Sequence, residues 1–270
     1  MSTPTYDFFR ATVLRTHRLS AGLLRVVLGG PGLDAVASGG RDQRLKLFLP
    51  QEGQDEPVLP EVLDADWYAG WRALDPEVRG IMRTYTIRDV RRERGREPAE
   101  LDIDFALHGD LGPASRWANR AVPGDRLTLL APVVPDNGGV DFRPPAGTDW
   151  VLLCADETAV PAVAAILEWL PAGTVVKAWI SVGSPEDRIE LPTKCQAEVS
   201  WLTRPGALPA AVAAALFPAG APYAWVAGEA GVVREVRRHL VGARAFAPGA
   251  VTFAGYWRRG ASEDALLPVT

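Results

Sequence analysis

The chain is poor in cysteine and histidine, has no basic excess and contains no long apolar run, and each shortage removes a class of function. Only Cys154 and Cys195 are present, far apart and in no CxxC pair. Neither a disulfide framework nor a zinc site is therefore expected. Cysteines of this kind read as core residues of a reducing compartment. The three histidines lie far apart without metal-ligand spacing, so no protein-bound metal is expected. Acidic residues outnumber basic ones, 33 to 29, for a net charge of -4. That balance argues against bulk nucleic-acid binding, and any site for an anionic ligand must be a local cluster. No run of about 18 or more apolar residues occurs. The nearest approach, Ala210–Gly228, is broken by Pro218, Gly220 and Pro222 and reads as helix, turn and strand. The opening MSTPTYDFFRATVLRTHR lacks a basic segment followed by an apolar one. Neither a secretory signal nor membrane insertion is expected, and the cytoplasm is the expected location.

What is present changes rhythm halfway. A length of 270 residues suggests about two domains of roughly 100–200 residues each. The first half reads as short strands separated by Gly/Pro turns. Alternation runs through Phe9–Leu19, Leu45–Leu49 and Leu101–His108, with further strands at Leu23–Leu28, Met82–Ile87 and Leu127–Ala131. That pattern predicts a β-barrel. Arg91–Glu100 (RRERGREPAE) reads as a solvated hairpin loop. In the second half, continuous apolar runs at Trp150–Cys154 and Val175–Val182 read as strands buried on both faces. Val199–Thr203, Tyr223–Gly228 and Val251–Trp257 are further strands. Helical stretches at Thr158–Leu170, Leu208–Leu216 and Gly231–Val241 alternate with them, which predicts a parallel sheet. The expected organisation is a Greek-key β-barrel domain with a short helix over 1–131, a Pro/Gly-rich linker over 132–149, and a Rossmann-like parallel α/β domain with a C-terminal tail over 150–270.

Two segments carry the chemistry. The first is Arg83-Thr84-Tyr85-Thr86, on a barrel strand. A flavin bearing a diphosphate needs a guanidinium to grip the pyrophosphate, an aromatic ring to pack the isoalloxazine or ribityl chain, and a polar group near N5, where hydride arrives. Arg83 and Tyr85 share one strand face, and Thr86 points the other way. The second segment is His108-Gly109-Asp110-Leu111-Gly112-Pro113-Ala114-Ser115-Arg116-Trp117-Ala118. Here a strand ends, a glycine turn follows, and a helix opens at Pro113. Its amino end offers free N–H groups to a phosphate, and Ser115 adds a hydroxyl. Each segment alone is also compatible with a plain strand and an ordinary strand–turn–helix.

Together the two resemble the RxY(S/T) and GxxS pattern of ferredoxin-reductase-like flavoproteins. The ordered set RTYTIR, HGDLGPASRWA, ADETAVPAVAAILEWLP, WVAGEAGVVREVRRHL and GYWRRG resembles more narrowly the siderophore-interacting proteins, or ferric-siderophore reductases, from about Phe9 to about Gly260. The resemblance implies that Arg83, Thr84, Tyr85 and Thr86 contact FAD, and that His108, Gly112, Ala114 and Ser115 contact its phosphates or ribose. It implies that Lys46 (in RLKLFLP) and one or both of Arg258 and Arg259 line the substrate side. A few cations over the flavin suit a polyanionic ferric tris-catecholate. Iron then arrives with the substrate, and neither a nucleophile nor a general base of the protein is needed.

The second domain lacks a GxGxxG loop. After its first strand comes Ala155-Asp156-Glu157-Thr158. The resemblance places Asp156 and Thr158 on the cofactor side, and either can cap the following helix. Two carboxylates at a helix start repel a pyrophosphate. NAD(P)H is thus expected in a loose or unusual pose, or the donor is a ferredoxin. Gly228 and Glu229 sit where a nicotinamide-facing loop is expected, and also read as a simple strand-to-helix turn. Two other functions fit part of the pattern: a general NAD(P)H:flavin or ferredoxin-type reductase without siderophore specificity, and a ferric-siderophore-binding protein with no redox cofactor.

Overall fold

The structure, a computed structural model, describes residues 5–61, 66–92, 95, 98–108 and 112–261. It forms two compact units. The first comprises Met1–Arg18, Leu24–Gly39 and Gln43–Gly139. The second comprises Val140–Thr270 together with Leu19–Leu23 and Gly40–Asp42.

The first unit is built on seven strands: β1 (Tyr6–Ser20), β2 (Leu23–Gly29), β3 (Arg44–Leu49), β4 (Ile81–Thr86), β5 (Asp89–Arg91), β6 (Glu100–Ala106) and β7 (Arg126–Pro132), with the short helices α1 (Trp67–Ala73) and α2 (Pro113–Arg120). Their order in the sheet is β4-β3-β7-β1-β2-β6-β5. The β1–β7, β3–β7, β3–β4 and β5–β6 pairs are antiparallel. The expected barrel is thus a half-barrel whose edge strands are β4 and β5. Inward residues Leu45, Leu47, Leu49, Leu101, Ile103, Phe105, Leu127 and Leu129 form its core, each large side chain contributing about 1.5–3 kcal/mol on burial.

Alternation in β6 predicts one wet face, and there the structure differs. Asp102 and Asp104 are also buried. Arg25 holds Asp104 through Nε at 2.7 Å and Nη2 at 2.9 Å, and Arg91 donates to Asp102 at 2.7 Å. Buried carboxylates are tolerated because each is paired and hydrogen-bonded. The charged stretch after β5 connects it to β6 in an antiparallel hairpin, with Glu93, Arg94, Arg96 and Glu97 outside the described residues.

The second unit is a five-stranded parallel sheet of order β10-β9-β8-β11-β12, made from β8 (Trp150–Asp156), β9 (Val175–Ser181), β10 (Gln196–Leu202), β11 (Pro222–Glu229) and β12 (Val251–Trp257). Helices α3 (Val160–Trp169), α4 (Ala207–Ala214) and α5 (Ala230–Gly242) cover it. Successive residues of β8 feed opposite cores. Val151, Leu153 and Ala155 pack with α3, while Trp150, Leu152 and Cys154 pack with α4 and α5. Both faces are dry, hence the unbroken apolar run. Cys154 is fully buried, and burial pushes its thiol up. No described helix is long and apolar enough to cross a membrane.

Candidate functional site

On the sheet edge, β4 pairs with β3 so that Lys46 lies opposite Thr84, Leu45 opposite Tyr85 and Leu47 opposite Arg83. Side chains two apart share a face. Ile81, Arg83 and Tyr85 therefore lie on the face of the barrel core, against which Ile81 and Tyr85 pack. The Tyr85 ring sits 4.5 Å from Phe105, which in turn lies 5.7 Å from Trp117 of α2. Arg83 is half-buried and its Nη1 donates to the Met82 carbonyl at 2.6 Å. Thr84, Thr86 and Lys46 lie on the opposite face. The Lys46 ammonium donates to Thr84 Oγ1 at 2.6 Å, and Thr86 is buried. The RTYT tetrad thus straddles an edge strand and presents a guanidinium and a ring on one side, hydroxyls and an ammonium on the other.

The amino end of α2 supplies the second wall. Gly112 precedes it at φ 101°, ψ 145°, with open space where a side chain would start and no side-chain cap on the helix. That backbone conformation is reserved for glycine. Ala114 and Ser115 are buried, and Ser115 Oγ accepts from the His108 N–H at 3.0 Å, pinning the end of the β6 segment to α2. His108 itself is exposed. Gly109, Asp110 and Leu111 of the same motif lie outside the described residues.

Ile81 of β4 and Pro113, Arg116, Trp117 and Arg120 of α2 line a cavity of about 580 Å³, whose rim also carries Glu52, Asp55, Asp125 and Arg126, while Arg83 and Tyr85 lie outside its lining. Its volume is that of a small-molecule site. Arg116 and Arg120, four apart on one helix face, are residues that the motif reading passes over; the i,i+4 spacing in SRWANR is the signal that points to them. An uncapped helix end and a glycine with space beside it fit a nucleotide diphosphate.

At the strand ends of the second unit, Asp156, Thr158, Gly228 and Glu229 come together, but the two carboxylates bind the protein's own backbone. Asp156 accepts from Thr158 N at 3.0 Å, Thr158 Oγ1 at 2.5 Å, Glu229 N at 2.7 Å and Trp257 Nε1 at 2.7 Å. Burial pushes its carboxyl up, against the pull of those donors. A side chain at Gly228 (φ 139°) would start 2.4 Å from Asp156 Oδ2. Glu229 caps α5, accepting from Gly231 N at 2.6 Å and Val232 N at 2.9 Å. The amino ends of the 3-10 turn Glu157–Ala159 leading into α3 and of α5 are therefore each occupied by a carboxylate, and neither offers a phosphate cradle. Arg258 and Arg259 are exposed on the turn after β12, and Arg259 lines a cavity of about 200 Å³ with Asp156, Glu229 and Trp257.

An antiparallel half-barrel followed by a parallel α/β sheet defines a class by fold, the ferredoxin-reductase-like two-domain proteins, of which the ferredoxin reductase in carbazole 1,9a-dioxygenase superposes with a TM-score of 0.64 at 18% identity. Comparison with known proteins narrows it. Residues 12–136 match the family model described as siderophore-interacting FAD-binding domain, and residues 148–260 match that of the siderophore-interacting protein. The chain is 32% identical to ferric vibriobactin reductase ViuB of Vibrio cholerae over 259 residues, covering 93% of this chain and 90% of that protein. It is 34% identical to the NADPH-dependent ferric-chelate reductase of Escherichia coli, with 93% and 92% covered. A siderophore utilization protein from T. fusca superposes with a TM-score of 0.80 at 33% identity, over 97% and 96% of the two chains. The chain belongs to the siderophore-interacting protein family, and its first unit carries that family's FAD-binding domain.

Proposed function

We propose that this chain is an FAD-dependent reductase of ferric siderophores, which converts Fe(III) to Fe(II) so that the chelator lets it go. The carrying observation is that the Arg83–Tyr85 strand and the uncapped, glycine-led helix α2 both lie within residues 12–136, which match an FAD-binding domain of siderophore-interacting proteins. Arg83, with the N–H groups of Ala114 and Ser115 at the α2 end, would hold the diphosphate, and Tyr85 would pack the ring system. Thr84 and Thr86 place hydroxyls on the far side of the strand. His108 and Gly112 shape the entry to the helix. Bound FAD accepts electrons in pairs and passes them on singly, as a ferric centre requires. Lys46, Arg258 and Arg259 supply positive charge for an anionic chelate. Iron is cargo here, delivered and removed with the siderophore.

NADPH is the proposed donor, in keeping with the name of the Escherichia coli relative. The carboxylates that cap α5 and the turn before α3 favour a second reading, in which a ferredoxin delivers the electrons. Gly228 and Glu229 line the strand ends where a nicotinamide would approach. A cytoplasmic site of action suits two free cysteines. The test is anaerobic: flavin-loaded protein is mixed with NADH, NADPH or reduced ferredoxin, then with ferric catecholate, ferric hydroxamate or free flavin, while an Fe(II)-specific chromogenic chelator traps the product. Bleaching by NADPH and faster Fe(II) release from ferric siderophores than turnover of free flavin are expected. Purified protein that binds ferric siderophore but carries no flavin absorbance would refute the reading.

A further inference from the structure

Three segments at the carboxyl ends of neighbouring strands, Asp156–Thr158 at the end of β8, Gly228–Ala230 at the end of β11 and Trp257–Arg259 at the end of β12, form one hydrogen-bonded knot. Its centre is the Asp156 carboxylate, nine-tenths buried and met by four donors, none of them a cation. Burying a carboxylate costs several kcal/mol unless its bonds are complete, so the knot exacts specific neighbours. Gly228 is one, because any side chain there would overlap Asp156. The β11–β12 register is another. Gly228 pairs with Gly255 but Glu229 pairs with Trp257, so β12 carries one extra residue, Tyr256, at a bulge. A bulge re-aims the side chains that follow it, and here the indole N–H of Trp257 reaches Asp156 at 2.7 Å.

What leaves the knot is a tight turn carrying two arginines. Arg258 and Ala261 form a bridge, the Ala261 N–H donates to the Arg258 carbonyl at 3.1 Å, and Gly260 takes φ 75°. The turn is fixed at its root by Trp257 on Asp156 and along its length by the Arg259 N–H, which donates to Glu229 Oε1 at 3.4 Å. Both guanidinium groups remain exposed. The backbone of the turn is held while its charges are displayed, which is how a scaffold pre-organises a recognition group.

We propose that Asp156, through Trp257, and Glu229, through the Arg259 backbone, are positioning residues that aim the Arg258–Arg259 turn at a highly anionic ferric chelate. The network sets selectivity for charge rather than gripping a pyridine dinucleotide. This rests on the reading above that the arginines face the substrate. A ferric tris-catecholate carries three negative charges, whereas a ferric tris-hydroxamate of neutral ligand strands carries none. An aimed pair of guanidinium groups separates the two by Coulomb attraction; a floppy pair separates them less.

The experiment measures dissociation constants of both chelates on the oxidised, flavin-loaded full chain. The variants are Asp156→Asn, Trp257→Phe, the double variant Arg258→Ala/Arg259→Ala, and each single change placed in the double background. Asp156→Asn and Trp257→Phe are each expected to weaken tris-catecholate binding roughly tenfold and to leave tris-hydroxamate binding within about twofold, with no further loss in the double-arginine background. Equal weakening of both chelates, or a full additional loss in the double background, overturns the positioning role. Trp257→Phe keeps an aromatic ring while losing the indole N–H and part of the ring volume, and leaves the Asp156 carboxylate in place, so the test stands even if Asp156→Asn fails to fold. Should the double-arginine variant bind tris-catecholate like the parent, it is the substrate-side reading of the arginines that fails, and the positioning proposal falls with it.

Discussion

A guanidinium, a ring and a lysine carry the separable contributions of the first unit. Arg83 stands on the core face of β4 with its Nη1 on the Met82 carbonyl, so a diphosphate would meet a side chain already half fixed. Arg83→Ala should remove the bidentate grip and yield protein with little or no bound FAD, read as flavin absorbance per polypeptide after gel filtration; stoichiometric flavin would disprove the assignment. Lys46 works from the other face. Its ammonium is anchored on Thr84 Oγ1, which steers it. Lys46→Ala should raise KM for a ferric tris-catecholate about tenfold, the cost of one aimed charge, about 1.4 kcal/mol, while flavin content holds. An unchanged KM would take Lys46 out of the substrate pocket. Both residues stand out in RTYTIR and RLKLFLP, but that they face opposite ways follows from the β3–β4 register, which alternation within one strand does not give. Trp257 was legible only as part of a motif, because its role depends on a bulge that no residue spacing announces.

At the scale of elements, legibility followed dryness. Strands β8, β9 and β11 are dry on both faces or nearly so, and their runs stand out, whereas the edge strand β12 leaves Phe253 exposed. Helix α1 escaped notice because it is seven residues long and only Trp71 is buried, too little for a periodic pattern. Strand β5 is three residues long and ends where the charge run begins, and Arg91 reads as solvated although it lies on Asp102. Asp102 and Asp104 escaped for the same reason: alternation looks the same whether a strand's polar face meets water or meets Arg25 and Arg91 from elsewhere in the chain. Asp104→Ala should therefore leave Arg25 without its bidentate partner and cost about 1.5–3 kcal/mol, read by urea denaturation of the full chain. Nearby, hydrogen bonds from Arg15, at 2.6 Å to each carboxylate oxygen, hold Glu100 down to about 2 from its usual 4.5. A carboxyl depressed on folding contributes stability above its unfolded pKa and loses it as pH falls toward the folded value. Melting temperature should fall between pH about 4.5 and about 2, and Glu100→Gln should flatten that slope. A parallel slope in the variant would assign the acid loss elsewhere. At α2, Gly112→Ala forces a side chain into a glycine-only conformation worth about 1–3 kcal/mol. It should weaken FAD binding by at least tenfold, measured by titrating apoprotein with flavin.

The whole chain is not cut as its rhythm suggests. The change from alternating to continuous apolar runs near residue 150 marks where the parallel sheet starts, yet the second compact unit also takes in Leu19–Leu23 and Gly40–Asp42. These short pieces are held by specific bonds. Asp42 is buried and accepts from Phe142 N at 3.0 Å and from Trp225 Nε1 at 2.9 Å. The Gly22 N–H donates to Asp187 at 2.6 Å, and Arg41 lies over the Trp169 ring at 4.7 Å. Long-range pairings of this kind leave no local pattern, since neither partner's neighbours change character. They make a strong claim about dissection. A fragment of residues 140–270 keeps every strand and helix of the parallel sheet but leaves the Trp225 indole N–H and the Phe142 N–H buried without their acceptor, at about 1–3 kcal/mol each, a large share of a domain's net stability. That fragment should melt well below the second unit of the intact chain, and Asp42→Ala in the full-length protein should reproduce much of the loss. A fragment that melts like the intact chain would show that the captured segments contribute little, and that the boundary lies where the composition changes.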